Sequence, residues 1–552
     1  MTPISKPPKH GAIMAKIYVY DTTLRDGAQG EGVSFSDSGK IRFAHLLDDL
    51  GVDYIEGGYA GSNPRDRKFF EDIRKERLSH AVVTGFGSTR RVDIDAAADP
   101  QLQGLLAAET EVCTVFGKSW ILHVRDVLRT TEANNLQMIA DTVGFLKKNG
   151  RTVFFDGEHF FDGYKDNPAY ALSCLDAAVR EGACGVVLCD TNGGCLPHEI
   201  FTITTQVRAR FPGIQVGIHV HNDAGLAVAN SLEAVRAGAN QVQGTINGYG
   251  ERTGNANLVS IIPALELKMG HHCIGLEKLS KLRSFSAVTD DLVNKRSDPQ
   301  QPYVGRNAFS HKGGAHVNAV QKNPQTFEHI RPEAVGNERH ILVSELAGGA
   351  NVLMKAAEVG IPELADDKKA VRRVLDEIKR KENAGYSFES ADGSFKILVQ
   401  KVMQTHQPFF ELEGFRVIVE KRGKDDPCVS EATIKLRVNG ETELMAGEGH
   451  GPVDALNRAL SQALVRFYPC ITDVTLSDYR VRILDPHQAT AAKTRVLIES
   501  GDGQRQWGTV GVSENIIEAS WQALVDSVEY KLFEDAARQP ARVVQSQDGN
   551  GK

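Results

Sequence analysis

One pattern fills the first half of the chain: short apolar runs alternating with segments of helical periodicity. The runs are KIYVYD, VDYIEGG, HAVVTGFGS, EVCTVFGKS, RTVFFDGEH, CGVVLCDTNG, IQVGIHVHND and NQVQGTINGYG. Segments such as SGKIRFAHLLDDLG and NPAYALSCLDAAVREGA lie between them. Strand–helix alternation of this kind requires a parallel sheet, because each parallel pairing needs a crossover. Eight such units in about 250 residues predict an α/β fold with an N-terminal (β/α)8 TIM barrel rather than an open doubly wound sheet. A Rossmann domain is the competing fold, but no G-x-G-x-x-G follows the first strand.

In a barrel of this type catalytic groups stand where strands end and loops begin. The runs end in polar residues or glycine: Arg25 and Asp26, Glu56, Ser88, Lys118, Glu158, Asp190 and Thr191, His219 and His221, Asn247 and Glu251. The opening motif YDTTLRDGAQGEG sets an arginine beside an aspartate just after a buried run, where charges must be paired or metal-bound.

GIHVHND places His219 and His221 at i and i+2, so on a strand both imidazoles point to one side. This is a metal-ligand spacing. With Asp26 on the first strand, which closes the barrel against the eighth, and with Asn255, the set becomes a mixed nitrogen and oxygen site. Such ligation suits a divalent metal, Mn²⁺, Mg²⁺, Zn²⁺ or Co²⁺, without choosing among them. Two readings of each neighbour stand at this level. Arg25 is either a surface ion pair or a guanidinium that polarises a keto oxygen. Glu158 is either a structural acid or a general base. Thr191 either caps the following helix or donates to a carboxylate. The loop GYGERTGNAN is glycine-rich, and a phosphate cradle there is a weak inference. His159 and His198 read as structural histidines.

From about residue 275 the pattern changes. PYVGRNAFSHKGGAHVNAVQKNP is loop-rich, and DDKKAVRRVLDEIKRKENAG reads as a charged helix spanning between domains. Past residue 412 an internal repeat begins. Gly447, Ala455, Ala459 and Leu460 match Gly511, Ala519, Ala523 and Leu524 at a constant offset (447 + 64 = 511). Each copy reads as strands joined by a turn, then a helix, which suits a pseudo-symmetric domain with ligand sites between the copies. The expected organisation is a disordered lead-in (1–15), a barrel (16–275), linker subdomains (276–411), a duplicated α+β regulatory domain (412–536) and a disordered tail (537–552).

At 552 residues the chain exceeds one core, as that division requires. A net charge of -7 without clustered Lys or Arg excludes a nucleic-acid surface. No apolar run reaches the roughly 20 residues of a membrane span. The N-terminus lacks the h-region of a secretory signal. The 8 cysteines are scattered with no C-x-x-C pair, so Cys113, Cys174, Cys184, Cys189 and Cys195 are expected as buried free thiols in a cytoplasmic protein.

DTTLRDGAQ, IHVHND, NGYGERTGNAN and FSHKGGAH together resemble the metal-dependent acyl-CoA synthases related to 2-isopropylmalate and homocitrate synthases. EGVSFS, EGGYAGSNPRD, TVFGKSW, EHFFDGYKDNP and CDTNGG resemble the long citramalate synthase branch of that family, and GTVGVSENIIEASWQALVDS resembles its C-terminal regulatory domain. The resemblance implies aldol-type condensation of acetyl-CoA with pyruvate, followed by thioester hydrolysis, in isoleucine biosynthesis. It implies Asp26, His219, His221 and Asn255 as metal ligands, Arg25 as electrophile, Glu158 as active-site acid, and Thr191 against the keto-acid carboxylate. His316, the last residue of HKGGAH, matches the catalytic histidine of the region after the barrel. That region reaches over a neighbouring subunit in the family, which implies a homodimer, and the regulatory domain implies isoleucine as effector. A tyrosine usual in the family some ten residues after this histidine is Phe327 here, so either His329 or water takes its part or turnover is impaired. The competing readings are a 2-isopropylmalate synthase using 2-oxoisovalerate, a retro-aldol lyase, and a non-catalytic amino-acid sensor.

Overall fold

The computed structural model describes residues 15–61, 63–342, 348–421, 423–484 and 492–538. The lead-in and the tail fall almost entirely outside them. Every one of the eight apolar runs forms a strand, and the strands close into a parallel barrel in sequence order. The first elements are β1 (Tyr18–Asp21), α1 (Asp37–Leu50), β2 (Tyr54–Tyr59), α2 (Pro64–Ile73), β3 (Val82–Ser88) and α3 (Pro100–Ala107). Then come β4 (Val112–Lys118), α4 (Glu132–Lys148), β5 (Thr152–Glu158), a short α5 (Phe160–Asp166), α6 (Pro168–Arg180) and β6 (Gly185–Asp190). The barrel ends with α7 (Pro197–Arg210), β7 (Gln215–Val220), α8 (Ala227–Arg236), β8 (Gln241–Gly244) and α9 (Leu258–Leu267). Closure is the β1–β8 pairing, with Val19 opposite Val242 and Asp21 opposite Gly244.

The strands are apolar on both faces because helices cover one side and the barrel lumen the other. Side chains such as Ile55, Val115, Phe155, Val186 and Ile218 are excluded from solvent and pack into one continuous core. The helices start where the sequence supplies caps: Ser36, Asn63, Asp99, Thr131 and Asn167 each accept a backbone N–H of the first turn. Inside the lumen Tyr20 is fully buried, and its hydroxyl donates to Glu56 (2.8 Å) and lies 2.7 Å from both Thr84 and Thr114. That polar layer fixes the floor beneath the strand ends.

Cα packing divides the chain into two units. The first holds the barrel with α10 (Leu276–Leu279) and α11 (Leu282–Leu292), runs to Phe309, and regains His329–Arg339. The second begins with β9 (Ser310–His311), which pairs in parallel with β10 (His340–Ile341). It carries α12 (Gly314–Lys322), α13 (Gly349–Glu358), α14 (Lys368–Asn383) and α15 (Asp392–Met403). The charged helix expected to span between domains is α14, and one face of it is buried through Ala370, Val374 and Ile378 within the second unit. Its charges occupy the other face, so it packs as an amphipathic helix rather than crossing open solvent.

The repeat is realised as β11 (Glu411–Glu420), β12 (Val429–Val438), β13 (Glu441–Gly449), α16 (Pro452–Val465), then β14 (Thr475–Ile483), β15 (Thr494–Gly501), β16 (Gln506–Ser513), α17 (Ile516–Arg538). Each copy has three antiparallel strands, where the sequence suggested two. The unread strands, β11 and β14, are edge strands with mostly exposed residues, so they lack an alternating buried face. The repeat glycines are explained by packing. A Cβ at Gly447 would meet the backbone of Ala455 and Ala459, and one at Gly511 would meet that of Ala519. The register repeats as well, Ala432 facing Gly447 and Val496 facing Gly511. The eight cysteines are free; Cys113, Cys174, Cys189 and Cys195 are buried and Cys184 is half-buried. No helix among the described residues is long and apolar enough to cross a membrane.

Candidate active site and metal centre

The C-terminal ends of the barrel strands surround a cavity of about 240 Å³, lined by Arg25, Asp26, Glu158, Thr191, His219 and His221 among others. Asp26 stands just beyond β1, His219 on β7 and His221 just after it; all three are buried. Their candidate ligand atoms lie within 4.8 Å of one another, a grouping able to hold a metal ion. Asp26 Oδ2 is 3.2 Å from His219 Nε2 and 3.7 Å from His221 Nε2. His219 Nδ1 sits 3.0 Å from Gln243 Oε1, and that bond orients Nε2 toward the aspartate. His221 Nδ1 lies 2.9 Å from the Arg252 guanidinium, which also pairs with Asp223.

Asn255 pairs with His221 through an isolated antiparallel backbone bridge. Its amide nitrogen donates to the Tyr249 carbonyl (3.2 Å), while its Oδ1 is buried without a hydrogen-bond partner. Asp26 Oδ2 is likewise buried without one. An orphaned carboxylate oxygen beside two imidazoles fits a divalent cation, since buried acceptors otherwise find donors. The glycine-rich loop packs closely on Asn255. At Gly250 φ is +152° and an added Cβ would lie 2.2 Å from Asn255 Nδ2, so only glycine lets the loop close over the asparagine.

Electrostatics hold the charges in place. Burial opposes ionisation of Asp26, but Arg25 and the two histidines outweigh it and keep its carboxyl well below the usual range. Burial likewise opposes the charge on His219, and the Asp26 carboxylate beside it overcomes this and raises its pKa. Arg25 is no surface ion pair. Its side chain is 12% exposed, its Nε donates to Glu56 at 2.5 Å, and its guanidinium carbon lies 3.9 Å from the Phe86 ring centroid. Glu158, at the end of β5, pairs with Lys118 and lines the cavity. Thr191 does not cap the next helix, because α7 begins at Pro197 with Leu196 before it. Its hydroxyl accepts the His159 N–H (2.9 Å), which leaves its one proton for a ligand. His159 itself has φ +54° and lies tilted against His123 (ring centroids 4.1 Å apart), and His198 lies on α7.

His316 belongs to the second unit, where it sits exposed on α12 with its ring 4.2 Å from that of Phe327. His329 belongs to the first unit, against Tyr303 and Phe309. The structure also brings in residues that the motifs did not assign. Phe86 and Phe116 stack at 5.3 Å with Tyr59 edge-on to both, forming an apolar wall. Asp156, at i−2 from Glu158 and so on the same face of β5, is 3% exposed, and burial reinforced by Glu56 pushes its pKa up to about 7. Period-two alternation from each strand-end residue would have found Phe86 (before Ser88), Phe116 (before Lys118) and Asp156.

Three family models match the chain: HMGL-like over residues 16–285, the homocitrate synthase post-HMGL domain-like model over 303–385, and the LeuA allosteric (dimerisation) domain over 389–532. An (R)-citramalate synthase of Geobacter sulfurreducens is 54% identical over 520 residues, covering 94% of this chain and 98% of the relative. One of Synechocystis sp. is 52% identical over 527 residues, covering 94% and 96%. A 2-isopropylmalate synthase of Aquifex aeolicus is 31% identical over 527 residues, covering 93% and 95%. With the barrel, the buried Asp–His–His group and the duplicated α+β domain in place, the chain belongs to the citramalate synthase family of HMGL-like acyltransferases.

Proposed function

We propose that the protein condenses acetyl-CoA with pyruvate and hydrolyses the thioester, giving citramalate and CoA. The observation that carries this is the convergence of Asp26, His219 and His221 at a cavity that Arg25 also lines. Asp26, His219, His221 and Asn255 would hold a divalent cation, which would supply Lewis acidity toward an α-keto oxygen. Arg25, fixed by Glu56 and Asp26, stabilises the oxyanion that develops as the keto carbon is attacked. Thr191 donates to the keto-acid carboxylate. Glu158 assists His316, the base that takes a proton from the acetyl methyl; the enolate then forms the carbon–carbon bond, and water cleaves the thioester. The wall of Phe86 and Phe116 favours a methyl group on the acceptor over the isopropyl group of 2-oxoisovalerate.

In this reading residues 16–275 are the catalytic domain, 276–411 the linker carrying His316, and 412–536 an isoleucine-responsive domain through which the protein forms a homodimer. The test measures CoA released from acetyl-CoA with pyruvate and with 2-oxoisovalerate. Release with pyruvate at a kcat/KM at least about tenfold higher is expected, one methylene being worth about 1–3 kcal/mol. Release only with 2-oxoisovalerate, or with neither acid, overturns the reading.

A further inference from the structure

The two histidines of the metal centre differ in what faces their outer ring nitrogens. A neutral imidazole that ligates through Nε2 carries its proton on Nδ1 and needs an acceptor there. His219 has one, since its Nδ1 lies 3.0 Å from Gln243 Oε1. His221 has the opposite: its Nδ1 lies 2.9 Å from Nη2 of Arg252. A guanidinium only donates, so this contact makes Nδ1 the acceptor and leaves the ring proton on Nε2. That nitrogen faces Asp26 Oδ2 at 3.7 Å. In this tautomer His221 has no lone pair to offer a cation.

Arg252 serves more acceptors than it has protons for. Its Nε donates to Asp223 Oδ1 (2.8 Å). Its Nη2, with two protons, stands 2.9 Å from each of three acceptors: Asp223 Oδ2, the Thr191 carbonyl oxygen and His221 Nδ1. Giving up His221 therefore leaves no proton of Nη2 without a partner. The side chain lines the cavity and is 44% exposed, so it has room to move. Its backbone, in the glycine-rich loop, is held at φ +55°, a strained conformation for any residue but glycine. Asp223 is close enough to His221 to act on it electrostatically. Once the guanidinium withdraws, that carboxylate is an acceptor for a proton on Nδ1, as carboxylates commonly are for metal-bound imidazoles.

We propose that Arg252 gates metal loading: it holds His221 in the tautomer that cannot ligate, and it swings away from Nδ1 when a divalent cation enters, leaving Asp223 to accept the Nδ1 proton. The exchange moves the ring proton from Nε2 to Nδ1 through solvent, with no net change in protonation. The inference rests on the reading of Asp26, His219 and His221 as metal ligands. It gives the arginine of GYGERTGNAN a part distinct from holding substrate, and it makes His219 the histidine that is ready for the metal and His221 the one that must be released.

Titration of the full-length, metal-stripped protein with Mn²⁺, followed by paramagnetic resonance, tests this. Arg252→Met removes the donor and keeps a long side chain. It should tighten Mn²⁺ binding at least about tenfold, the scale of a hydrogen bond from a charged donor. The gain should persist in about 0.5 M KCl, where repulsion between an exposed guanidinium and a dication is screened. A gain that vanishes in salt assigns the effect to charge alone and overturns the gate, as does an affinity that is unchanged or weaker. A crystal of the unmodified protein soaked with Mn²⁺ gives a reading that does not depend on the variant. There the guanidinium should stand beyond hydrogen-bond distance from His221 Nδ1; metal on Nε2 with Arg252 still at that distance overturns the proposal. No Mn²⁺ bound by the unmodified protein overturns the metal centre itself, a failure distinct from that of the gate.

Discussion

Arg25 and Glu56 form a buried ion pair at the mouth of the barrel, Nε to Oε1 at 2.5 Å, on a carboxylate whose other oxygen accepts the Tyr20 hydroxyl. The pair sets where the guanidinium stands relative to Asp26, so Glu56 positions the charge that the proposed function assigns to the developing oxyanion. Glu56→Gln keeps the shape and removes the charge. It should lower kcat about 10–100-fold with a smaller change in KM for pyruvate, because an oxyanion donor is then misplaced. The unfolding temperature should fall too, since a buried arginine loses its partner. Steady-state kinetics with thermal melts check this; a kcat within twofold of the unmodified protein would remove Glu56 from the catalytic arrangement.

Asp26→Ala, His219→Ala and His221→Ala should each abolish metal retention, measured by elemental analysis after desalting. CoA release should fall by about 10³-fold or more, while far-UV circular dichroism stays native. Chelation of the unmodified protein should inactivate it, and added Mn²⁺ or Co²⁺ should restore it. Activity that survives complete chelation would refute the metal centre.

Gly250→Ala is a subtler probe of the same centre. A methyl group 2.2 Å from Asn255 Nδ2 must displace that amide, and the φ of +152° strains any residue but glycine. Metal affinity is expected to fall about 10–100-fold, as for loss of a supporting contact, with little change in the barrel's melting. Titration with Mn²⁺ followed by paramagnetic resonance reads it directly.

Phe116→Ala opens the wall that Phe86 and Phe116 build by stacking at 5.3 Å. The ratio of kcat/KM for 2-oxoisovalerate to that for pyruvate should rise about 10–100-fold, the scale set by 1–3 kcal/mol per methylene. An unchanged ratio would show that another surface measures the acceptor.

Asp526 supplies a pH dependence. Burial, only partly offset by its bond to Ser394, raises its pKa from 3.8 to about 6. A carboxyl that holds its proton more tightly in the folded protein stabilises the fold least when ionised. Its contribution therefore declines as pH rises from about 4 to about 6 and is flat above. The half-buried setting limits the effect to about 1–3 kcal/mol. Asp526→Asn should raise the melting temperature of the second unit at pH 8 and leave it nearly unaltered at pH 4. An equal shift at both pH values would assign the effect to packing instead.

Much of this was legible in the chain itself. Alternating apolar runs and amphipathic segments determined eight strands and their helices, because a parallel strand demands a crossover and a buried strand demands apolar residues on both faces. The i, i+2 spacing alone puts His219 and His221 on one side of a strand. What only the tertiary structure decided are the partners that come from distant strands. Glu56 on β2 meets Arg25 after β1, Phe86 of β3 stacks on Phe116 of β4, and α15 closes over Asp526 of α17. The edge strands β11 and β14 also waited for the structure, since an exposed edge carries no periodic burial to read. Local order follows from neighbours a few residues apart, while a site depends on side chains that barrel closure and helix packing bring together across the sequence. No local pattern encodes those distances.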